Sequence, residues 1–275
     1  MREEATAFVP GHITGFFSAH PDDDPTKAGS RGAGLTLTDG VEVSVRRADE
    51  PSLLLDGEPV EIEPVRTVLE TLEAPARVEA ISSLPIGAGF GVSGATALGT
   101  ALAANIVFER ALSYNELVTI AHAAEVQAGT GLGDVVAQAH GGVPIRLEPG
   151  APAHNVIDAV PERARVEYVS FGELSTAEVI TGDTDQLTAA GQESLSLLVD
   201  EPTLSSFIYA SRRFAREAGL LTSDVRAALE DVTTVDGQAS MAMLGNTVFA
   251  LGTGLSDAGY DPSVCSTHTA GAILK

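Results

Sequence analysis

Lysine is almost missing from this chain: Lys27 and Lys275 are its two examples in 275 residues, beside fourteen arginines. With 38 aspartates and glutamates, the formal charge is −22. Binding to nucleic acid needs basic surface to displace counterions from phosphates, so this balance excludes a nucleic-acid partner. The acidic residues are dispersed, which also argues against a disordered acidic tail. An acidic surface poor in lysine is the composition expected of a protein adapted to high salt, where screening weakens self-repulsion. Cysteine is reduced to Cys265. That excludes an intramolecular disulfide, and no Cys/His spacing suggests zinc. No apolar run approaches the eighteen or so residues that cross a bilayer. Residues 1–6 lack the charged-then-apolar pattern of a secretory signal, so the expectation is a cytoplasmic protein with no membrane partner.

What the chain does have is enough apolar material, 44% of its residues, to build a core. Its length is near the point where one core stops growing and two packed lobes form. Residues 77–81 read as a strand that runs into the glycine-rich stretch Pro85-Ile86-Gly87-Ala88-Gly89-Phe90-Gly91-Val92-Ser93-Gly94, and residues 95–108 as a small-residue helix after it. Ser113-Tyr114-Asn115-Glu116 has the form of a capping box and opens a helix with apolar positions at Leu117, Ile120, Ala121, Ala124 and Ala128. Gly129 is its natural stop. A short loop, Thr130-Gly131-Leu132-Gly133, delivers Asp134 to another small-residue segment, and residues 143–147 read as a strand. The Pro/Gly stretch at residues 149–152 and the polar run to Pro161 suggest a lobe boundary near residue 160, dividing the chain into 1–160 and 161–275. Beyond it, strand patterns at 166–171 and 246–251 flank helical patterns at 184–199 and 202–218, giving an α+β second lobe.

Glycines suit a phosphate site because a backbone without Cβ can approach the ligand and aim successive N–H groups at it. A helix starting there adds the positive end of its dipole. Gly87, Gly89, Gly91 and Gly94 meet this need, and the Ser93 hydroxyl suits Mg²⁺ or a phosphate oxygen. The same loop spells Gly89-x-Gly91-x-x-Gly94, a literal dinucleotide fingerprint. That alternative needs a ribose-binding acid at the end of a second strand. The candidate, Glu109, falls at the end of the same helix beside Arg110 and is badly placed. The standard triphosphate loop ending Gly-Lys-Ser/Thr is absent. Glu125 and His122 share one side of the capped helix. A loop serine followed by two later carboxylates, Glu125 and Asp134, is what Mg²⁺-dependent phosphoryl transfer requires: oxygen ligands plus an acid to orient the attacking hydroxyl. A silent nucleotide-binding module would not need those acids.

These residues resemble the GHMP kinases, the family of galactokinase, homoserine kinase and mevalonate kinase. The segment from Pro85 to Ala95 follows its central motif, with Phe90 and Val92 at positions where leucine and serine are usual, and Pro10-Gly11-His12-Ile13-Thr14-Gly15 is similar to its first motif. The resemblance implies a two-lobed fold: a mixed α/β ATP-binding lobe followed by a ferredoxin-like α+β lobe. It also implies ATP contacts from Pro85 through Gly94, Mg²⁺ ligands at Ser93 and Glu125, and Asp134 as the catalytic carboxylate. The third motif departs from the common glycine-rich form. Residues 242–249, together with 10–17 and 29–34, are similar to the archaeal branch of the family that phosphorylates pantoate. That likeness implies ATP, Mg²⁺ and pantoate, with Ser30, His122 and Thr176 on the substrate side. Without a lysine in the first motif, His12, Arg31 or Arg146 must supply positive charge. A guanidinium fork at Arg31 or Arg146 would suit the pantoate carboxylate. The oligomeric state is left open, with a homodimer as the alternative to a monomer.

Overall fold

In the computed structural model, residues 2–172, 185–243 and 245–275 are described. The chain opens with a long antiparallel pair, β1 (Glu4–His20) and β2 (Gly29–Arg47). Along the start of β1 every second residue, Ala5, Ala7 and Val9, is buried, as expected of a strand with one face on a core. The register then shifts between Pro10 and His12 and again between Thr14 and Phe16. Each shift falls on a glycine. A Cβ on Gly11 would sit 2.1 Å from Leu84 Cδ1, and one on Gly15 would sit 2.3 Å from Ser211 Oγ. These irregularities re-aim the strand.

Next come β3 (Ser52–Leu55), β4 (Glu58–Pro59), α1 (Glu63–Thr71), β5 (Ala76–Ser82), α2 (Val92–Val107), α3 (Tyr114–Ala128), α4 (Asp134–His140), β6 (Val143–Glu148) and β7 (Val156–Val160). The first sheet has the order β12-β1-β2-β5-β3-β4, with β6 on β2 and β7 on β6; β12 is Ile273–Leu274. Helix α2 is buried almost all round, which explains its alanine-rich composition and weak amphipathic pattern. It lies close on the sheet because a Cβ at Gly99 would be 2.6 Å from Val43 Cγ2. Helix α3 carries the capping box read from the sequence: Ser113 accepts from the Glu116 N–H, and the Glu116 carboxylate accepts from the Ser113 N–H. It stops at Gly129 in the left-handed conformation, φ 67°.

The remaining elements are β8 (Arg165–Ser170), α5 (Asp185–Asp200), α6 (Leu204–Glu217), α7 (Ser223–Thr234), β9 (Gln238–Ala242), β10 (Thr247–Leu251), α8 (Gly254–Asp257) and β11 (Ser263–Ser266). Their sheet is antiparallel in the order β11-β8-β10-β9. Numbered along the chain, that is 4-1-3-2, with helices between the first and second and between the third and fourth strands. This is the ferredoxin-like arrangement. The fold is therefore α+β with the two kinds of sheet expected.

The first strand joins the two halves. Phe16 stacks at a tilt on Phe207 of α6 (6.3 Å between centroids), Phe207 on Phe249 of β10 (6.1 Å), and Phe17 on Phe214 (5.8 Å). All four rings other than Phe17 are fully buried, and Phe17 is nearly so. Each contributes about 1.5–3 kcal/mol through burial. The start of β10 and the residues just before it press against β1 and the glycine-rich loop. The Met243 N–H donates to Thr14 O at 2.9 Å, and the Thr247 hydroxyl donates to Ala88 O at 2.9 Å. A Cβ on Gly245 would be 2.0 Å from Ala88 O, so that approach requires glycine.

Candidate active site

The loop between β5 and α2 turns through Gly87, Gly89 and Gly91, whose φ angles of 71°, 87° and 64° lie in the left-handed region that glycine tolerates. Gly91 caps α2, so the helix begins at Val92, slightly earlier than its sequence pattern suggests, and Ser93 sits in the first turn. The first helical bond closes from the Ala95 N–H to Gly91 O. The N–H groups of Val92, Ser93 and Gly94 are therefore left without partners inside the helix, a ready anion site. A cleft of about 150 Å³ lies over this turn, lined by Gly87, Gly89, Gly91, Ser93, Gly94, Glu125 and Asp134 among others. Pro85 is exposed and stands before the loop, outside that lining.

Ser93 Oγ donates to Glu125 Oε1 at 2.6 Å. Glu125 projects inward from α3 and is 3% exposed. Burial pushes its carboxyl up to about 7; the Ser93 hydroxyl opposes this and the nearby Asp134 charge adds to it. Both carboxylates face Gly131. A Cβ there would lie 2.6 Å from Glu125 Oε2 and 3.4 Å from Asp134 Oδ2.

Asp134 opens α4, and His12 Nδ1 is 2.7 Å from its Oδ1. Burial lowers the pKa of fully buried His12, leaving a neutral ring that donates Nδ1–H to the carboxylate. Burial raises the Asp134 pKa, but the His12 hydrogen bond and the Arg146 charge outweigh it and hold the group ionised. His12 Nε2 is buried without a partner, 2.2 Å from where a Cβ on Gly34 would stand.

Arg146, on β6, is 2% exposed, and its Nε and Nη1 have no hydrogen-bond partner. Burial brings its pKa down to about 10, with Asp134 opposing, so the guanidinium stays charged at neutral pH. Ser30 and Arg146 both approach Gly133: a Cβ there would be 2.5 Å from Ser30 Oγ and 2.7 Å from Arg146 Nε. His122 is also buried and donates Nε2–H to Ala28 O at 2.9 Å; burial and the Arg146 charge keep it neutral.

Most of the residues singled out in the sequence thus converge: His12, Ser30, Ser93, Glu125, Asp134 and Arg146 share one neighbourhood. Arg31 is engaged elsewhere. Its Nε donates to Leu147 O at 2.6 Å, and Nη2 is 3.8 Å from Glu148 Oε1. Thr176 lies outside the described residues. Gln138 was missed: its Nε2 donates to Gly91 O at 2.9 Å, tying α4 to the cap of α2. Its signal was spacing, since it follows Asp134 by one helical turn. Thr14 also lines the cleft, with Oγ1 3.4 Å from His12 Nδ1.

Comparison with known proteins agrees with this geometry. Residues 63–142 match the GHMP kinases N-terminal domain. The pantoate kinase of Methanocaldococcus jannaschii is 36% identical over 251 residues, covering 89% of this chain and 91% of that protein. The chain belongs to the GHMP kinase family. Another relative of this GHMP kinase, the pantoate kinase of Methanospirillum hungatei, is 36% identical over 256 residues, covering 90% of this chain and 87% of its own. A solved structure of a phosphotransferase related to the CoA biosynthesis pathway superposes with a TM-score of 0.88 at 31% identity, covering 99% of this chain and 98% of that one.

Proposed function

We propose that this GHMP kinase transfers the γ-phosphoryl group of ATP to the primary hydroxyl of pantoate, giving 4-phosphopantoate and ADP in archaeal coenzyme A synthesis. The observation that carries the choice of acceptor is the buried Arg146 guanidinium, with Nε and Nη1 unpartnered beside the ionised Asp134. Two idle charged donors in a buried site call for an anionic substrate group, and a carboxylate fits the guanidinium fork. The relatives named pantoate kinase act on an acceptor with such a group and a primary alcohol. We assign the carboxylate to Arg146 in preference to Arg31, whose fork is already engaged by Leu147 O and Glu148. Ser30 and His122 border the same space, and Thr176 is retained on the substrate side from the family resemblance.

ATP phosphates would lie along Gly87, Gly89, Gly91 and Gly94, with Pro85 leading into the loop. The α2 N–H groups would face the transferred charge. Ser93 and Glu125 offer oxygen ligands that fit Mg²⁺. Among the described residues no group of three or more His, Cys, Asp or Glu side chains forms a metal cage. That suits an ion bound through one or two protein oxygens plus phosphates. When bound, Mg²⁺ would neutralise charge on the β- and γ-phosphates. Asp134 would orient the pantoate hydroxyl and accept its proton as the new P–O bond forms and the bond to ADP breaks. His12 donates to the other side of this acid and fixes its rotamer.

We further read residues 1–160 and 161–275 as two lobes, with β12 returning to the first sheet. The acidic composition favours a salt-rich cytoplasm, and a homodimer remains the alternative to a monomer. Coupled detection of ADP with Mg-ATP tests the acceptor. Pantoate is expected to stimulate release well above homoserine, mevalonate or shikimate. Stimulation by one of those three instead would overturn pantoate and leave the kinase standing.

A further inference from the structure

A second concentration of positive charge lies on the ferredoxin-like half. Helix α6 buries Leu204, Phe207, Ile208, Ser211, Phe214 and Ala215 on one face. The spacing of three and four residues puts Tyr209, Arg212, Arg213 and Arg216 together on another. With Arg226 and Leu229 of α7, and Leu221 between the helices, they line a cleft of about 390 Å³. It shares no lining residue with the cleft over the phosphate loop.

Four of the chain's fourteen arginines are gathered here, in a protein whose formal charge is −22. Arg213 is paired, with Glu217 at 2.7 Å and with Glu193. Among the described residues Arg212, Arg216 and Arg226 form no ion pair, although Glu230 lines the same cleft four residues beyond Arg226. Arg212 has a neutral partner, donating from Nη2 to Thr233 Oγ1 at 3.0 Å. Burial and the adjacent Arg216 charge both disfavour its charged form. Elsewhere Arg31, Arg46, Arg66, Arg77 and Arg165 each meet a carboxylate, while Arg47 and Arg110 donate to the carbonyls of Val107 and Glu73; what distinguishes the α6–α7 cleft is that its unpaired arginines are gathered in one place. A cluster of unpaired cations on so acidic a chain leaves a local repulsion that a bound anion would relieve. Tyr209 is 63% exposed, and Leu221 and Leu229 supply apolar surface beside the charges.

We propose that the cleft between α6 and α7 is a second ligand site, for a small phosphate-bearing anion of two or more charges with a planar or apolar body. The guanidinium groups of Arg212, Arg216 and Arg226 take the phosphate oxygens, and the body lies against Tyr209. The volume suits a nucleotide-sized molecule. Guanidinium forks read phosphate more strongly than isolated carboxylates, which this surface otherwise repels.

The test titrates the full chain by calorimetry with inorganic pyrophosphate and, separately, with ADP, in magnesium-free buffer at the lowest salt concentration at which the parent stays folded by circular dichroism. The comparison is with the variant carrying Arg216→Gln and Arg226→Gln. Both side chains are exposed, so the fold and basal kinase turnover should be unchanged. The expected result is a pyrophosphate site, additional to any at the phosphate loop, that weakens at least tenfold in the variant. ADP should lose the same site, and Tyr209→Ala should weaken ADP there more than pyrophosphate. Identical isotherms for parent and variant would overturn the site. So would sedimentation showing that the substitutions change only the mass of the particle: the cleft would then receive the acidic surface of a second copy. Equal loss of ADP and pyrophosphate affinity in Tyr209→Ala would remove the planar body from the proposal.

Discussion

The two sides of the active site meet at Asp134 but are finished to different degrees. On the phosphate-loop side the Ser93 hydroxyl is on Glu125 and the Gln138 Nε2 is on Gly91 O, and what is left without a partner there, Gln138 Oε1 and the first N–H groups of α2, is neutral. On the acceptor side, Arg146 is buried with two idle nitrogens and His12 carries an unpartnered Nε2. A buried unpaired polar group costs about 1–3 kcal/mol, and more if charged. On the proposed reading, the difference teaches that neutral donors on the loop side would take any nucleotide phosphate, whereas the charge on the acceptor side would be completed by a particular anion. Selectivity would then belong to the acceptor side.

The largest expected effect comes from the residue where the sides meet. Asp134→Asn keeps the size of the side chain and an oxygen for the His12 N–H, but cannot take a proton. Turnover should fall by about 10²–10⁴-fold, with ATP affinity nearly unchanged. Single-turnover kinetics beside a nucleotide-binding isotherm would check this. Parent-level turnover would remove Asp134 from the mechanism and join the two sides through some other group.

Arg146→Met separates the sides. Losing a two-point charged contact of about 3 kcal/mol should raise the pantoate KM by roughly 10²-fold while the ATP KM stays within a few-fold. The same change removes a charge whose burial is poorly compensated but also one that helps hold Asp134 ionised; the two oppose, so the ligand-free protein should stay within about 1 kcal/mol of the parent in urea unfolding. A lower stability together with an unchanged pantoate KM would make Arg146 structural and dissolve the contrast.

How legible these sides were in the sequence follows the range of the forces that form them. Local signals carried the loop side. Glycine spacing located the turn, the capping box at Ser113 and Glu116 set the start of α3, and helical periodicity put Glu125 on its inner side. The acceptor side depends on long-range pairing. His12 lies on β1 and meets Asp134, 122 residues away, because register shifts at Gly11 and Gly15 re-aim that strand. Glycine at those positions interrupts the alternation that marks a strand, so the longest pair of strands in the fold, β1 and β2, was hard to read. Nor could strand alternation show that Arg146 is buried, since β6 is covered on both faces from Val143 to Arg146. The close approaches at Gly133 and Gly245 likewise depend on segments distant in sequence, Ser30 and Ala88.

The smallest effect tests whether the buried carboxyl on the loop side is held neutral in the absence of a ligand. Glu125 has a folded-state pKa of about 7, against 4.5 ordinarily. A carboxyl raised in this way holds its proton in the fold between those values while the unfolded chain releases it. Its contribution is therefore present below about pH 4.5 and is lost as pH rises through 7, a change of roughly 3 kcal/mol at most. Glu125→Gln keeps an oxygen to accept the Ser93 hydroxyl and cannot ionise. In EDTA, urea unfolding of parent and variant should nearly coincide at pH 5, with the variant more stable by about 1–3 kcal/mol at pH 8. With Mg-ATP the order should reverse in activity, because the neutral amide is a poorer partner for the cation and should raise the Mg²⁺ concentration needed for half-maximal turnover. A stability gap that does not change with pH would mean that Glu125 stays ionised throughout. Its charge would then be fully compensated in the fold, the carboxyl would not be raised by burial, and the contrast with the poorly compensated Arg146 would be sharpened.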